Sequence, residues 1–157
     1  MFSYGKNSAR KLLDGTVDLQ LILNRSIGLS TVDWGISQVA RTFDEQLEFF
    51  LAGRTKLDPR VPSMLANAKH VTTAERPKAE AADLFIYHPD KAIRAKLAYD
   101  IPSLSYVAGI IQATARMMYD AGEVEHLIRW GGNWDRDGVI LMDQSFDDLP
   151  HVETYRP

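Results

Sequence analysis

The 157-residue sequence contains no cysteine, so it can form neither disulfide bonds nor thiolate metal sites. Any metal ion must therefore be held by imidazole and carboxylate groups, a donor set that suits zinc and also accepts other divalent metals. No run of about 18 apolar residues occurs, so the sequence predicts no membrane-spanning helix. The formal net charge is -3, so the sequence lacks the excess of positive charge that is typical of proteins that bind nucleic acid or an anionic membrane surface.

The N-terminal segment MFSYGKNSARKLL has no apolar stretch of the length that a secretory signal needs, so we expect the protein to fold in a cytoplasm. Neither an internal repeat nor a linker rich in proline, glycine and serine divides the sequence. A chain of 157 residues fits one compact domain, and we expect a single domain over residues 1–157. We also expect a monomer.

The N-terminal part of the sequence predicts a helix over residues 8–29, with a break at residues 14–15. The second piece of this helix is expected to turn Val17, Leu21 and Ile27 toward the core.

Two further helices have clear sequence signals. Thr42 and Glu45 form a capping box, in which the Thr oxygen and the Glu carboxylate satisfy backbone donors reciprocally, and the helix that they open is predicted to stop at Gly53. The longest helix is predicted over residues 101–122. Its apolar residues at helical spacing are Leu104, Val107, Ala108, Ile111, Ala115 and Met118.

The predicted strands lie mostly in the second half of the chain, over residues 32–36, 81–88, 127–130 and 151–155. Helices come first, and no regular βαβ alternation is present. The pattern therefore predicts the α+β class, with a small antiparallel sheet and helices packed on it.

Histidine is scarce, since the sequence has only His70, His88, His126 and His151. A lone histidine is usually a surface residue or a satisfied core residue, so its context must decide whether it does chemistry. The most informative context is the segment FDDLPHVE, residues 146–153, which places a carboxylate three positions before a histidine.

This segment resembles the FxDxPHxE signature of the zinc peptidases related to D-Ala-D-Ala carboxypeptidases and to hedgehog domains, and it implies a hedgehog/DD-peptidase-like fold. The resemblance implies that His151 is a zinc ligand on a strand and that Asp148 is the catalytic base. The intervening proline turns the chain, so the carboxylate can reach a metal-bound water without ligating the metal. Residues 128–138, IRWGGNWDRDG, are similar to a WGGxW segment of the same family. The alternative for the acidic segment is a turn before an edge strand.

The family's second motif, HxxGxAxD, supplies another histidine and an aspartate as the remaining zinc ligands. Its nearest match here is His70 followed by Asp83, which lie thirteen positions apart instead of the motif's seven. We expect the extra residues to form an exposed loop over residues 71–78, since loop closure costs grow slowly with length. We place this loop at the rim of the substrate cleft. His88 is the alternative ligand, although Pro89 beside it indicates a turn at a strand end.

Arg41, in the segment VART, falls where the family has an arginine in a short RT segment. The resemblance implies that Arg41 contacts an anionic group of the substrate, by a bidentate or an electrostatic contact. The alternative is an ordinary salt-bridged arginine at a helix entrance.

The resemblance extends along most of the chain, and it points to a narrower group within this family. The segments YGKNSARKLL, TVDWGISQVARTFDEQ and DLPHVE look like the single-domain endolysins of tailed phages of Gram-negative hosts, which are L-alanyl-D-glutamate peptidases. This implies a zinc enzyme that hydrolyses the L-Ala–D-Glu bond of the peptidoglycan stem peptide, with Asp148 activating the zinc-bound water. It also implies residence in the host cytoplasm until a holin opens the membrane, followed by action in the periplasm and cell wall.

Two alternative functions stay open at this point. The same catalytic apparatus also serves D-alanyl-D-alanine carboxypeptidases and dipeptidases. A non-catalytic relative that binds peptidoglycan is the other alternative, and the irregular spacing between His70 and Asp83 is its support.

A separate signal concerns calcium. Asn133, Asp135, Asp137 and Gly138 have the NxDxDG spacing that begins an EF-hand-like loop. Position twelve of that loop is Gln144 instead of the usual bidentate glutamate. We therefore favour a solvated acidic turn, with Ca²⁺ binding as the alternative.

Overall fold

The computed structural model describes residues 1–139 and 144–157. Along these ranges the elements are, in order, α1 (Lys6–Leu12), α2 (Val17–Leu29), β1 (Trp34–Gln38), α3 (Phe43–Leu51), α4 (Pro62–Asn67), β2 (Ala81–Ile86), α5 (Lys91–Leu97), α6 (Ile101–Asp120), β3 (Leu127–Gly131) and β4 (Asp148–Tyr155). The predicted α+β class is confirmed.

The four strands form one antiparallel sheet in the order β1-β2-β4-β3. In the pairing of β2 with β4, Asp83 stands directly opposite His151. Side chains that face each other in an antiparallel pair have Cβ atoms about 4.5–5.5 Å apart. The register therefore brings together two chemically active residues that are far apart in sequence.

Helix α6 packs against the sheet and against α2, and its predicted buried face is confirmed. The residues buried on that face include Leu104, Val107, Ala108, Ile111, Ala115 and Met118. The break in the N-terminal helix is also confirmed, because α1 ends at Leu12 and α2 begins at Val17.

The predicted inner face of α2 is wrong at two of its three positions. Val17 and Leu21 are 69% and 44% exposed, whereas Ile27 is buried. The buried stripe consists of Leu19, Ile22, Leu23, Ser26 and Ile27, at the i, i+3, i+4, i+7, i+8 spacing of a core-facing helix. Val17 and Leu21 lie two residues from Leu19, a rotation of about 200° at 3.6 residues per turn, so they face solvent.

The capping box that opens α3 is formed as predicted. The backbone N–H of Glu45 donates to Thr42 Oγ1 at 3.1 Å, and the backbone N–H of Thr42 donates to Glu45 Oε2 at 2.7 Å. Gly53 follows the helix with φ 70°, a backbone conformation that glycine adopts without steric cost. None of the helices in the described ranges combines the length and the apolar character that a bilayer crossing requires.

Candidate metal centre and active-site cleft

Two histidines and one aspartate converge on one point beside the two central strands of the sheet, β2 and β4. The distances between His70 Nε2, Asp83 Oδ1 and His151 Nδ1 are 3.1 Å for each of the three pairs. A tetrahedral zinc ion with bonds of about 2.0–2.1 Å separates its ligand atoms by about 3.3 Å. These three atoms therefore fit one face of a tetrahedral metal site, and the group could bind a metal ion.

Hydrogen bonds on the far side of each ring set the imidazole tautomers. His70 Nδ1 lies 2.6 Å from the carbonyl oxygen of Val39, and His151 Nε2 lies 3.0 Å from Glu153 Oε2. Both partners are acceptors, so these two ring nitrogens carry the protons. The other two ring nitrogens, His70 Nε2 and His151 Nδ1, face the centre, and once deprotonated they would direct their lone pairs at a bound metal ion, as ligation requires.

The other two histidines do not join this group. His88 Nδ1 accepts the backbone N–H of Asp90 at 3.1 Å, in the turn after β2. His126 Nδ1 lies 2.6 Å from Asp18 Oδ2 and ties β3 to the start of α2. The structure thus brings together His70, and not its alternative His88, with the other two predicted ligands.

The charges around the centre favour a cation. Burial acts to raise the pKa of Asp83, but hydrogen bonds from His151 and His70 outweigh it, so that this pKa lies far below its ordinary value. Burial also acts to lower the pKa of His151, yet hydrogen bonds to Asp83 and Glu153 raise it to about 9. The cluster therefore stabilises positive charge at its centre, which a divalent metal ion would supply.

Glu153 supports the centre from behind, a role that the sequence motif alone does not reveal. Its side chain is buried, and it uses one oxygen for His151 and the other for Arg129, whose Nε lies 3.0 Å from Oε1. Residues i and i+2 of a strand share one face, and the β3–β4 register pairs Arg129 with Glu153. The period of two on β4 is the sequence signal that could have found Glu153.

Asp148 opens β4, three residues before the predicted strand start, and lies beside the cluster in the same cleft. Burial raises the pKa of Asp148, while the positive charge of His151 acts in the opposite direction. Its partner across the sheet is Gly131, where an added Cβ would lie only 2.2 Å from the Asp148 carbonyl oxygen. The first glycine of the WGG segment is therefore required for the close backbone approach that places Asp148.

The cleft above the cluster has a volume of about 1290 Å³. Trp134 forms part of its wall, with its ring centroid 5.3 Å from that of His151 and its indole N–H donating to the Phe146 carbonyl at 3.0 Å. The cleft is large enough for several residues of a peptide, and both the three predicted metal ligands and Asp148 line it.

Arg41 lines the same cleft without an acidic partner among the described residues. Its Nη1 donates to Gln46 Oε1 at 2.7 Å, and its Nη2 donates to Gln38 Oε1. Its Nε is buried and has no hydrogen-bond partner in the described part of the chain. Arg41 thus forms no salt bridge with a described residue, although the charges of Asp83, Glu45 and Asp148 lie near its guanidinium.

The loop over residues 71–78 is exposed at several positions, as predicted, but its predicted place at the cleft rim is wrong, because none of its residues lines the cleft. Arg76 holds the loop against the end of α4. The carbonyl oxygens that accept hydrogen bonds from Arg76 are those of Leu65, Ala66, Ala68 and Val71. The loop therefore braces the segment that presents His70.

The candidate calcium loop, residues 133–144, includes residues 140–143, which lie outside the described residues. Within the described part, Asn133 Oδ1 accepts the backbone N–H of Arg136 at 3.1 Å, and Asp137 Oδ1 accepts that of Val139 at 2.8 Å. These are local turn contacts of the kind that Asn and Asp side chains form in loops. Calcium binding stays the alternative to a solvated acidic turn.

An α+β fold in which two imidazoles and a carboxylate converge in a cleft, beside a further carboxylate, is consistent with a metallopeptidase. The chain belongs to the phage L-alanyl-D-glutamate peptidase family, which matches residues 1–155. It is thus an L-Ala–D-Glu endopeptidase of peptidoglycan, of the endolysin type.

A search of curated protein sequences gave no significant match. Among solved structures, the chain is similar to the crystal structure of the Serratia marcescens L-Ala D-Glu endopeptidase ChiX, with a TM-score of 0.67. The two sequences are 16% identical, and the likeness covers 98% of this chain and 90% of that one. At this identity the likeness shows a shared fold.

Proposed function

We propose that this endopeptidase works as a zinc enzyme, with His70, Asp83 and His151 as the metal ligands and Asp148 as the general base. The observation that supports the ligand set best is the triangle of 3.1 Å distances between the three ligand atoms. Three protein ligands leave one tetrahedral position for water or substrate, as catalytic zinc sites require.

In the proposed hydrolysis, the zinc ion and the side chains have different roles. When bound, zinc supplies a Lewis acid that polarises a carbonyl and lowers the pKa of water. Asp148 takes the proton of the attacking water and returns it to the leaving amine of D-Glu as the amide C–N bond breaks. The raised pKa of Asp148, caused by burial, helps it to hold that proton between the two steps.

Arg41 is proposed to contact an anionic group of the substrate. Its guanidinium is anchored by two glutamine oxygens and has no carboxylate partner in the described chain, so it can pair with a substrate carboxylate or a developing oxyanion. We further propose that one domain over residues 1–157 contains this whole apparatus and acts as a monomer. Calcium is not needed for this mechanism.

The family assignment also supports a proposal on location. A phage peptidase of peptidoglycan must reach the cell wall, and we propose that it stays in the host cytoplasm until a holin opens the membrane. It would then degrade the wall from the periplasmic side and lyse the host.

Analysis of digested peptidoglycan tests the bond that is cut. The purified enzyme should leave L-Ala on the glycan strands and release peptides with a new N-terminal D-Glu, which labelling of free amines and mass spectrometry would identify. Release of D-alanine instead would support the D-alanyl-D-alanine peptidase alternative. An intact wall after treatment with zinc-loaded protein would support a non-catalytic relative.

Replacing Glu153 by Gln should weaken zinc binding by about 10- to 100-fold, the usual effect of removing an outer-shell partner of a metal-bound histidine. Gln still fills the space but loses the charge that orients His151 and pairs with Arg129. Zinc affinity would be measured by competition with a chromophoric chelator. The control is Glu125→Gln, since Glu125 forms a salt bridge with Arg156 at the exposed surface. Equal affinities in the two variants would contradict the positioning role.

A further inference from the structure

The end of α3 is a Schellman motif that fixes the position of Arg54. The backbone N–H of Gly53 donates to the Phe50 carbonyl at 3.0 Å, and that of Arg54 donates to the Phe49 carbonyl at 2.8 Å. In this motif, the residue after the glycine contacts the side chain at the start of the last helical turn. Here that contact joins Arg54 to Phe49, with Arg54 Cζ 4.1 Å from the ring centroid.

A second guanidinium lies over the same ring. Arg41 Cζ is 4.4 Å from the Phe49 centroid, so one aromatic ring holds two cations. All three side chains line the cleft. Burial is the main cause of the lowered pKa of Arg41, and the charge of Arg54 lowers it further, which means that the two guanidiniums repel each other.

Neither guanidinium forms a salt bridge within the described part of the chain, although Asp83, Glu45 and Asp148 act on Arg41 at longer range. Arg41 donates only to amide oxygens, and Arg54 forms no salt bridge with a described residue. Arg60, by contrast, lies over Phe50 in the same region and pairs with Asp58 at 2.8 Å. Two cations that repel each other in a substrate cleft create a site that an anion would stabilise.

The substrate bond of the proposed function supplies such an anion. D-Glu uses its amine in the bond to L-Ala and one of its two carboxyl groups in the bond to the next residue. The other carboxyl group stays free beside the scissile bond, whichever of the two is used.

We propose that Arg41 and Arg54, stacked on Phe49, form a carboxylate-binding subsite for the free carboxyl group of D-Glu. This inference rests on the proposed function and assigns Arg54 a role in specificity. The nearby charges of Asp83 and Asp148 place Arg41 beside the catalytic groups. The subsite therefore discriminates between stem peptides whose D-Glu carries a free carboxylate and those in which it is a carboxamide.

Two synthetic stem peptides that differ only in this group test the proposal. The wild-type enzyme should cut the acid with a kcat/KM about 10- to 100-fold above that of the amide, the scale of one charge-assisted hydrogen bond. Arg54→Gln should lower kcat/KM for the acid by about tenfold or more, mainly through KM, and lower that for the amide much less, so that the preference for the acid is lost. Arg54→Lys should keep part of the preference, because it retains the charge and loses the planar fork.

The control is Arg60→Gln, which should keep the wild-type preference because Arg60 does not line the cleft. The amide peptide is an internal control for folding, since a folding defect lowers both rates together. An enzyme that cuts neither peptide overturns the proposed function. An enzyme that cuts both at equal kcat/KM, or an Arg54→Gln variant that is folded by circular dichroism and still loses both equally, overturns the subsite and leaves the proposed function standing.

Discussion

Asp148→Asn should yield a folded, zinc-loaded protein whose turnover of peptidoglycan is lower by about a hundredfold or more. Asparagine keeps the shape of the side chain and its place at the start of β4, but it cannot accept the proton of the attacking water. The three ligand atoms are unchanged, because Asp148 is not one of the groups that converge at 3.1 Å. Turnover would be measured as the clearing of purified cell walls, and zinc by atomic absorption.

Asp147→Asn is the matched control for this variant. Asp147 is the neighbouring carboxylate, accepts a hydrogen bond from Gln144 at 2.7 Å and does not line the cleft. The Asp147→Asn variant should therefore retain activity close to that of the wild type. If Asp148→Asn loses its zinc, Asp148 is a ligand and the division of roles is wrong.

His70→Ala should lose zinc and activity together, because it removes one of the three proposed protein ligands. The loss of affinity should exceed the roughly 10- to 100-fold expected for a change in an outer-shell partner such as Glu153. The purified wild-type protein should contain about one zinc ion per chain. Metal content and peptidoglycan turnover would be measured on the same preparations, before and after dialysis against a chelator.

His88→Ala is the control for the ligand assignment, since His88 lies in the turn after β2 and, among the described residues, forms a hydrogen bond only with the backbone of Asp90. It should retain zinc and turnover. The reverse pattern, in which His88→Ala loses zinc and His70→Ala retains it, would show that the wrong histidine was chosen.

The sequence predicted the parts of the fold that depend on strong local signals. The apolar stripe of α6 and the capping box at Thr42 and Glu45 are such signals, and both are present in the structure. The inner face of α2 was harder to predict, because Val17 and Leu21 are apolar but face solvent. A helix with apolar residues on several faces is oriented by its packing partner, which the local pattern does not contain.

In the candidate site, too, some residues could be predicted from the sequence and others could not. Asp83 and His151 follow from sequence motifs, whereas Arg54 has no signal in the sequence beyond its charge. Its place in the cleft depends on the helix end at Gly53 and on a stacking contact with Phe49. Such a contact is specified by backbone geometry and is not visible in residue spacing.

The spacing between His70 and Asp83 is unusual in sequence but has no effect on the ligand geometry. The backbone N–H of Glu80 donates to the Lys69 carbonyl at 2.8 Å, so the two ends of the intervening loop meet. A compact loop whose ends are close can change length while the residues outside it stay in place. The thirteen-residue separation is therefore compatible with an intact site.

Because its two ends meet, the loop is also a suitable place for the insertion of another domain. Its tip is Ala74 and Glu75, both exposed, between Thr73 and Arg76, which are joined by a backbone hydrogen bond of 2.8 Å. Exposed loop tips accept inserted domains best, since the added chain leaves from a point where little is buried. A wall-binding module inserted between Ala74 and Glu75 would enter and leave at almost the same place, outside the cleft. The enzyme could thus gain a targeting domain in mid-chain with its metal ligands left in place.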